Sequence, residues 1–241
     1  MTMSSFRASP RRGHLLRLKR ICGYLAKMKH GTIKFRVHQP DYSDIPTNKY
    51  DWTYTYGNVE EPTPDDTPDA LGKEVTLTHY VDANLFHNAL TGCSVTGILH
   101  LVNATPIEWY SKKQATVETA TYGSEFVAAR TCVEQIIDLR NTLRYLGVPI
   151  SKCSYLFGDN ESVVNSSSIP QAKLHKRHTA LSFHCVREAI AAKYIVFNYI
   201  PGADNPADIL SKHWAYSATW DLLRCLLFCE KETLLKDDEQ N

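Results

Sequence analysis

Four carboxylates stand at points of the chain where an α/β arrangement can gather acids. Asp82 closes the strand-like run Val75–Asp82, and Asp159 follows the short apolar run Ser154–Gly158. Glu125 opens a long amphipathic stretch, and Asp208 lies just beyond Pro206, where a helix start tolerates proline. Strand ends and helix starts are where such folds place their sites. Singly, each acid is no more than a turn former or a surface charge, and with 26 acids in the chain spacing alone does not make these four meet. If they do, carboxylates ~4 Å apart repel by roughly 4 kcal/mol per pair at an effective dielectric near 20. Such a cluster requires protons or divalent cations. Oxygen ligands, with no His or Cys among the four, favour Mg²⁺ or Mn²⁺ over zinc. Two such ions ~4 Å apart would activate a water and steady the leaving oxygen of a phosphodiester.

The elements that must position these acids follow from hydropathy periods. Residues 13–29 place Leu15, Leu18, Ile21, Cys22, Leu25 and Met28 on one helical stripe opposite a Lys/Arg face, which is either solvated or tracks phosphates. Thr32–Val37 alternates as a short strand. Residues 38–73 carry five prolines among acidic clusters and read as an extended linker, with Trp52, Tyr54 and Tyr56 alternating as one edge strand. Beyond it, 75–82, 95–102 and 107–110 predict three strands in an antiparallel meander, then a helix over 123–146. A buried strand over 154–158, a short helix near 162–165, a helix over 173–192, a strand over 194–200 and a helix from 207 to about 229 complete the pattern. The order β-β-β-α-β-α-α-β-α is a mixed sheet with helices on its faces. The expected divisions are 1–37, the linker 38–73, an α/β domain over 74–230 and a tail over 231–241.

Composition narrows the class. The chain of 241 residues is 43% hydrophobic and 22% charged, with a net charge of +1, so a nucleic-acid surface must be a local patch. No apolar run approaches ~20 residues, so no membrane span is expected. The seven cysteines are scattered without a Cys-x-x-Cys pair, which favours reduced thiols and an intracellular setting, cytoplasm or nucleus. Every charged side chain before Asp41 is basic; a transit peptide is the lesser reading, because the segment runs on into a helix.

Five ordered motifs carry a resemblance. They are Thr78-His79-Tyr80-Val81-Asp82-Ala83, Pro106-Ile107-Glu108-Trp109-Tyr110-Ser111-Lys112-Lys113-Gln114, Gly123-Ser124-Glu125-Phe126-Val127-Ala128-Ala129, Phe157-Gly158-Asp159-Asn160 and Asn205-Pro206-Ala207-Asp208-Ile209-Leu210-Ser211-Lys212. Together, over about residues 75–215, they resemble the ribonuclease H region of copia-type retrotransposon Pol polyproteins. Leu16 to Leu25 is similar to the end of the reverse transcriptase domain in those polyproteins, whose Tyr-x-Asp-Asp polymerase motif is absent from this sequence. A C-terminal fragment unable to polymerise DNA is therefore expected.

The resemblance implies a ribonuclease H-like five-stranded mixed sheet with helices on both faces. It implies an endonuclease that hydrolyses the RNA strand of an RNA–DNA hybrid with two Mg²⁺ (or Mn²⁺) held by Asp82, Glu125, Asp159 and Asp208. Asp82 would bridge both ions, Asp208 would complete the one near the attacking water, and Glu125 and Asp159 the other. The implied partners are the hybrid, recognised by groove shape and 2′-hydroxyls, and the reverse transcriptase domain of a full-length polyprotein. Lys112, Lys113, Gln114, Thr121, Ser124 and Asn160 are candidate substrate contacts, each equally open to being surface or a helix cap. Cellular ribonucleases H carry a loop His near the last Asp. Pro201-Gly202-Ala203-Asp204 offers none here, and His213 is the nearest candidate. His175 and His178 read as helix-face residues meeting phosphate or solvent rather than as a metal pair. The competing readings are a catalytically inactive element remnant that at most binds nucleic acid, and an integrase- or transposase-type nuclease of the same fold class.

Overall fold

The computed structural model describes residues 7–27, 29, 33, 35–47, 50–87, 91–174 and 176–212. His175, His213, the continuation of the last helix toward Cys229 and the 231–241 tail lie outside the described residues.

Five strands form one sheet: β1 (Leu77–Asn84), β2 (Val95–Val102), β3 (Thr105–Lys113), β4 (Ser154–Gly158) and β5 (Ile195–Tyr199), in the order β3-β2-β1-β4-β5. The β1/β2 and β2/β3 pairs are antiparallel, as expected of the meander, while β1/β4 and β4/β5 are parallel. Parallel neighbours need crossover connections, and helices supply them: α3 (Thr121–Tyr145) before β4, then α4 (Glu161–Ser168) and α5 (Ala180–Ala191) before β5. The central strands β1 and β2 are buried on both faces, and β3 opens to solvent beyond Pro106 as an edge strand does.

One sheet face holds the core. Val81, Ala83, Ile98, Leu156, Ile195 and Phe197 meet Phe126, Ala129, Val133 and Ile136 of α3 and Phe183 and Val186 of α5. The other face takes α6 (Asp208–Ser211), which lies against β1, β2 and β3. There is no room for a side chain on β2 at that crossing. A Cβ on Gly97 would stand 2.6 Å from the Ala207 carbonyl oxygen and 2.9 Å from the Ser211 nitrogen. Gly97 is the register partner of Asp82, so the glycine lets α6 descend onto the sheet beside that acid.

Several expected elements differ. The β1 strand runs to Asn84, paired with Val95, so Asp82 lies inside the strand and not at its end. The residues 52–56 do not form an edge strand. They form one helical turn, α2 (Thr53–Tyr56), because Asp51 Oδ1 accepts from the Thr53 backbone N–H at 2.9 Å and from its hydroxyl at 2.7 Å. Trp52 and Tyr56, four apart, then face the protein while Tyr54 points to solvent. Helix α5 begins at Ala180, not 173, after a 3-10 turn at Arg177–Thr179. The buried Arg187 of α5 donates to the carbonyls of Ser166, Ile169 and Pro170, tying the preceding segment down as a connection. Phe35–Val37 is irregular rather than strand, and the Arg36 backbone N–H and carbonyl both bond the Thr105 hydroxyl.

The acidic segment 38–73 holds no strand among its described residues, but it is anchored. Tyr42 packs on Tyr155 (centroids 4.4 Å apart) and bonds the Thr78 hydroxyl, Trp52 stacks on the Arg187 guanidinium (4.9 Å), and Glu61 clamps Arg140 and Arg144. In contrast, α1 (Arg12–Lys27) has no buried residue, and Leu15, Leu18, Ile21 and Leu25 of its apolar stripe are exposed.

Candidate metal centre

The sheet's connectivity brings three acids together. Asp82, 1% exposed, projects from β1 on the α6 face. Asp159 follows the last residue of β4, whose Gly158 pairs with Val81. Glu125, in the second turn of α3, is buried and held by the Ala83 backbone N–H. A carboxylate oxygen from each of the three lies within 4.8 Å of the other two.

Asp208 joins them through the loop that carries it. The fully buried Asn205 donates its amide to the Val81 carbonyl at 3.0 Å, while its Oδ1 accepts from the Ala207 N–H at 3.1 Å. One side chain thereby fixes the start of α6 against the strand residue that precedes Asp82. The end of α6 and the residue after it add three contacts: the Ser211 hydroxyl donates to Asp82 Oδ2, and Lys212 donates both to Asp208 Oδ1 and, at 3.2 Å, to Asp82 Oδ1. The ammonium is 4.0 Å from Asp159 Oδ2.

Burial and mutual repulsion set the protonation of the cluster. Burial, then the charges of Asp82 and Asp159, drives the Glu125 carboxyl well above its ordinary range. Burial, followed by Asp82, raises Asp159. Burial lifts Asp208 most and Asp82 adds to it; despite the bond from Lys212 its pKa is pushed up to about 6. The same neighbours raise Lys212, which stays charged. Four converging carboxylates with one ammonium are under-neutralised, and oxygen-only ligands of this kind suit Mg²⁺ or Mn²⁺. Asp82, Glu125 and Asp159, with Lys212, line a cleft of about 410 Å³ whose walls also include Asn84, Leu85, Thr121, Asn160, Glu161 and Ser162. A larger cavity of about 590 Å³, between residues 46–60 and the α4–β5 side, contains none of the four acids.

The other candidates separate into two groups. Thr121 is exposed at the cleft, and Asn160 lies there with its Oδ1 capping α4 through the Val163 N–H at 3.2 Å. Lys112 and Lys113 are exposed on β3. Gln114 and Ser124 are buried: the Gln114 amide donates to the Thr96 hydroxyl and the Ser124 carbonyl, joining the β3 end to α3 beside Glu125. The Ser124 hydroxyl caps back to the Thr121 carbonyl. His178, on the 3-10 turn rather than a helix face, pairs with Glu118 at 3.0 Å. Asn205, Ser211 and Lys212 were visible in the sequence only as motif letters. Polar residues at i, i+3 and i+4 from an acid were the available signal for the last two.

No family model matches the chain. Over 141 residues it is 28% identical to the Pol polyprotein of transposon TNT 1-94 from Nicotiana tabacum and 23% identical to that of transposon RE2 from Arabidopsis thaliana. Each alignment covers 58% of this chain and 10% of the relative, so the chain spans about a tenth of the length of these curated relatives. Among solved structures it is similar to the N-terminal RNase H domain of a Mycobacterium tuberculosis protein fused to maltose-binding protein, at 16% identity and a TM-score of 0.45, covering 61% of this chain and 99% of that one. A second is LC11-RNase H1 in complex with an RNA/DNA hybrid, at 17% identity and a TM-score of 0.46, covering 56% and 94%. In sequence, then, the chain resembles the RNase H region of copia-type retrotransposon Pol polyproteins.

Proposed function

We propose that this chain carries a divalent-cation-dependent endonuclease that hydrolyses the RNA strand of RNA–DNA hybrids. The convergence of Asp82, Glu125 and Asp159 within 4.8 Å, joined by Asp208 through Lys212, is the observation that carries the reading. Asp82, Glu125, Asp159 and Asp208 would hold Mg²⁺ or Mn²⁺, with Asp82 shared. Ions bound there would lower the pKa of an attacking water and offset charge on the phosphate and the leaving oxygen. The residues of the chain supply position: Asn205 and Gly97 seat α6, Gln114 steadies the start of α3, and Thr121 and Asn160 flank the cleft where a sugar–phosphate backbone would run. Lys112 and Lys113 are available for phosphates further along β3. Hybrid recognition would rest on groove shape and 2′-hydroxyls.

The nuclease unit is assigned to residues 74–230, with 38–73 laid against it as an arm and 1–37 as the end of a preceding reverse transcriptase-like segment, whose full domain would be its partner in a polyprotein. With Mg²⁺ and an end-labelled hybrid, the wild type is expected to cleave the RNA strand, and Asp82→Asn to lose that cleavage by about 10³-fold or more, since Asp82 would help hold every ion of the site. Equal inertness of both proteins sinks the reading. Binding of the hybrid without cleavage would leave a nucleic-acid-binding module, and a silent Asp208→Ala with strand transfer on duplex DNA would leave an integrase-type enzyme.

A further inference from the structure

Lys212 stands where a cation is needed. It lies four residues beyond Asp208, one helical turn on, and its own backbone N–H closes that turn on the Asp208 carbonyl at 2.9 Å. Its ammonium bonds one oxygen of Asp208 and Oδ1 of Asp82, and the Ser211 hydroxyl takes the other Asp82 oxygen. Both oxygens of the acid that two ions would share are therefore engaged by the last residue of α6 and the one that follows it. The arrangement is one-sided: Lys212 makes no bond to Glu125, and Asp159 is at the limit of an ion pair, 4.0 Å away. Lys212 thus bonds the Asp82–Asp208 pair directly, whereas it acts on Glu125 only through its charge and on Asp159 only across that 4.0 Å.

A divalent ion sits about 2.0–2.1 Å from its carboxylate oxygens if it is Mg²⁺. An ammonium hydrogen-bonded to those oxygens occupies the same volume and repels the ion. The two can exchange, because the Lys212 side chain is one-third exposed (33%) and its stem is flexible. Building on the divalent-cation reading above, we propose that Lys212 is a built-in counter-cation between Asp82 and Asp208. The chain therefore loads one divalent ion at Asp82, Glu125 and Asp159 first, and a second ion enters only by displacing the ammonium. Lys212 is on this account a positioning residue that sets cation occupancy.

Calorimetric titration of the metal-free full chain with Mn²⁺, in parallel with Mn²⁺ spin resonance, tests this without any substrate. The wild type is expected to show one strong site and a second weaker by about tenfold or more, with no spin-coupled pair until excess Mn²⁺. Lys212→Met keeps the stem and removes the charge, so it is expected to tighten the second site about tenfold and to show the coupled pair early. Lys212→Arg is expected to behave as the wild type. Two sites of like affinity in the wild type, unchanged in Lys212→Met, overturn the counter-cation role while leaving the metal site standing. That wild-type result decides the matter even if Lys212→Met does not fold. No Mn²⁺ bound by the wild type would instead overturn the cation site itself, a separate outcome.

Discussion

At the scale of single residues, the acid cluster stores a conflict that folding creates. Asp208 has an ordinary value of 3.8 and is pushed up to about 6 by burial and by Asp82, and Glu125 and Asp159 shift in the same direction. A raised folded value means that the folded chain holds protons the unfolded chain has released. The stability linked to those protons is fully present below about pH 3.8 and is lost as pH rises through about 6, by about 1.4 kcal/mol per pH unit for each proton involved. Mg²⁺ bound as proposed would compete with the same protons. We therefore expect thermal melts in chelator to show this loss between pH 4 and about 7, Mg²⁺ to reverse it only at the upper end, and Asp208→Asn to flatten the profile. A metal-free Tm difference between wild type and Asp208→Asn that stays constant across that window would contradict the assignment.

Elements deliver those residues through close contacts that a few side chains decide. Helix α6 reaches Asp82 only because β2 has no side chain at position 97. Gly97→Ala places a methyl 2.6 Å from the Ala207 carbonyl, and the neighbour is backbone. A cost of about 1–3 kcal/mol is expected, as for other overpacked sites, with Asp208 and Lys212 displaced together. Melting and hybrid cleavage would both fall; an unchanged cleavage rate would show that α6 is not part of the site.

On the opposite face, β1 and β2 bury His79 and His100 against α3. His79 Nδ1 and His100 Nδ1 are 2.7 Å apart, and His100 Nε2 donates to Gln135 Oε1 at 3.0 Å. That chain of bonds leaves both rings neutral, and burial holds both below their ordinary value of 6.5. The sign is opposite to that of the acids: this stability is present above pH 6.5 and is lost as pH falls, by about 1.4 kcal/mol per pH unit for each ring that the unfolded chain protonates. Mg²⁺ bound as proposed would keep the cluster carboxylates charged, so the metal-loaded protein should display the histidine limb without the opposing one. His100→Gln should shallow that limb in acid melts.

For the molecule as a whole, the acidic segment 38–73 behaves as part of the fold. Its Glu61 is the carboxylate partner of Arg140, which is 1% exposed and otherwise bonds the Ser154 hydroxyl and two carbonyls. Removing one partner of a buried pair strands the other, at about 3–5 kcal/mol. Glu61→Ala is therefore expected to lower Tm sharply, as is deletion through residue 73, while deletion through residue 27 should cost little because α1 buries nothing. Calorimetry on the three variants distinguishes an integral arm from a loose tether, for which all three would melt together.

Much of this was legible in the chain itself. The runs 95–102 and 154–158 became strands at those bounds, and the helix expected over 123–146 begins at Thr121, because two-residue and 3.6-residue hydropathy periods are local properties. The motifs named Asp82, Glu125, Asp159 and Asp208 for the same reason: residue type and order are written in the sequence. Tertiary structure decided the rest. Alternating aromatics at 52, 54 and 56 became a helical turn once Asp51 bonded the Thr53 N–H and Arg187 offered Trp52 a surface. Gln114 and Ser124, polar enough to read as substrate contacts, were buried to join two elements. The distance between Asp82 and an acid carried by α3 depends on a sheet order that no local pattern contains. Lys212, one letter at the end of a motif, acquired a place among the carboxylates only when α6 folded down over Gly97. Local periods depend on neighbours along the chain, whereas a site depends on neighbours in space, and the crossovers that create them bring together residues more than a hundred positions apart.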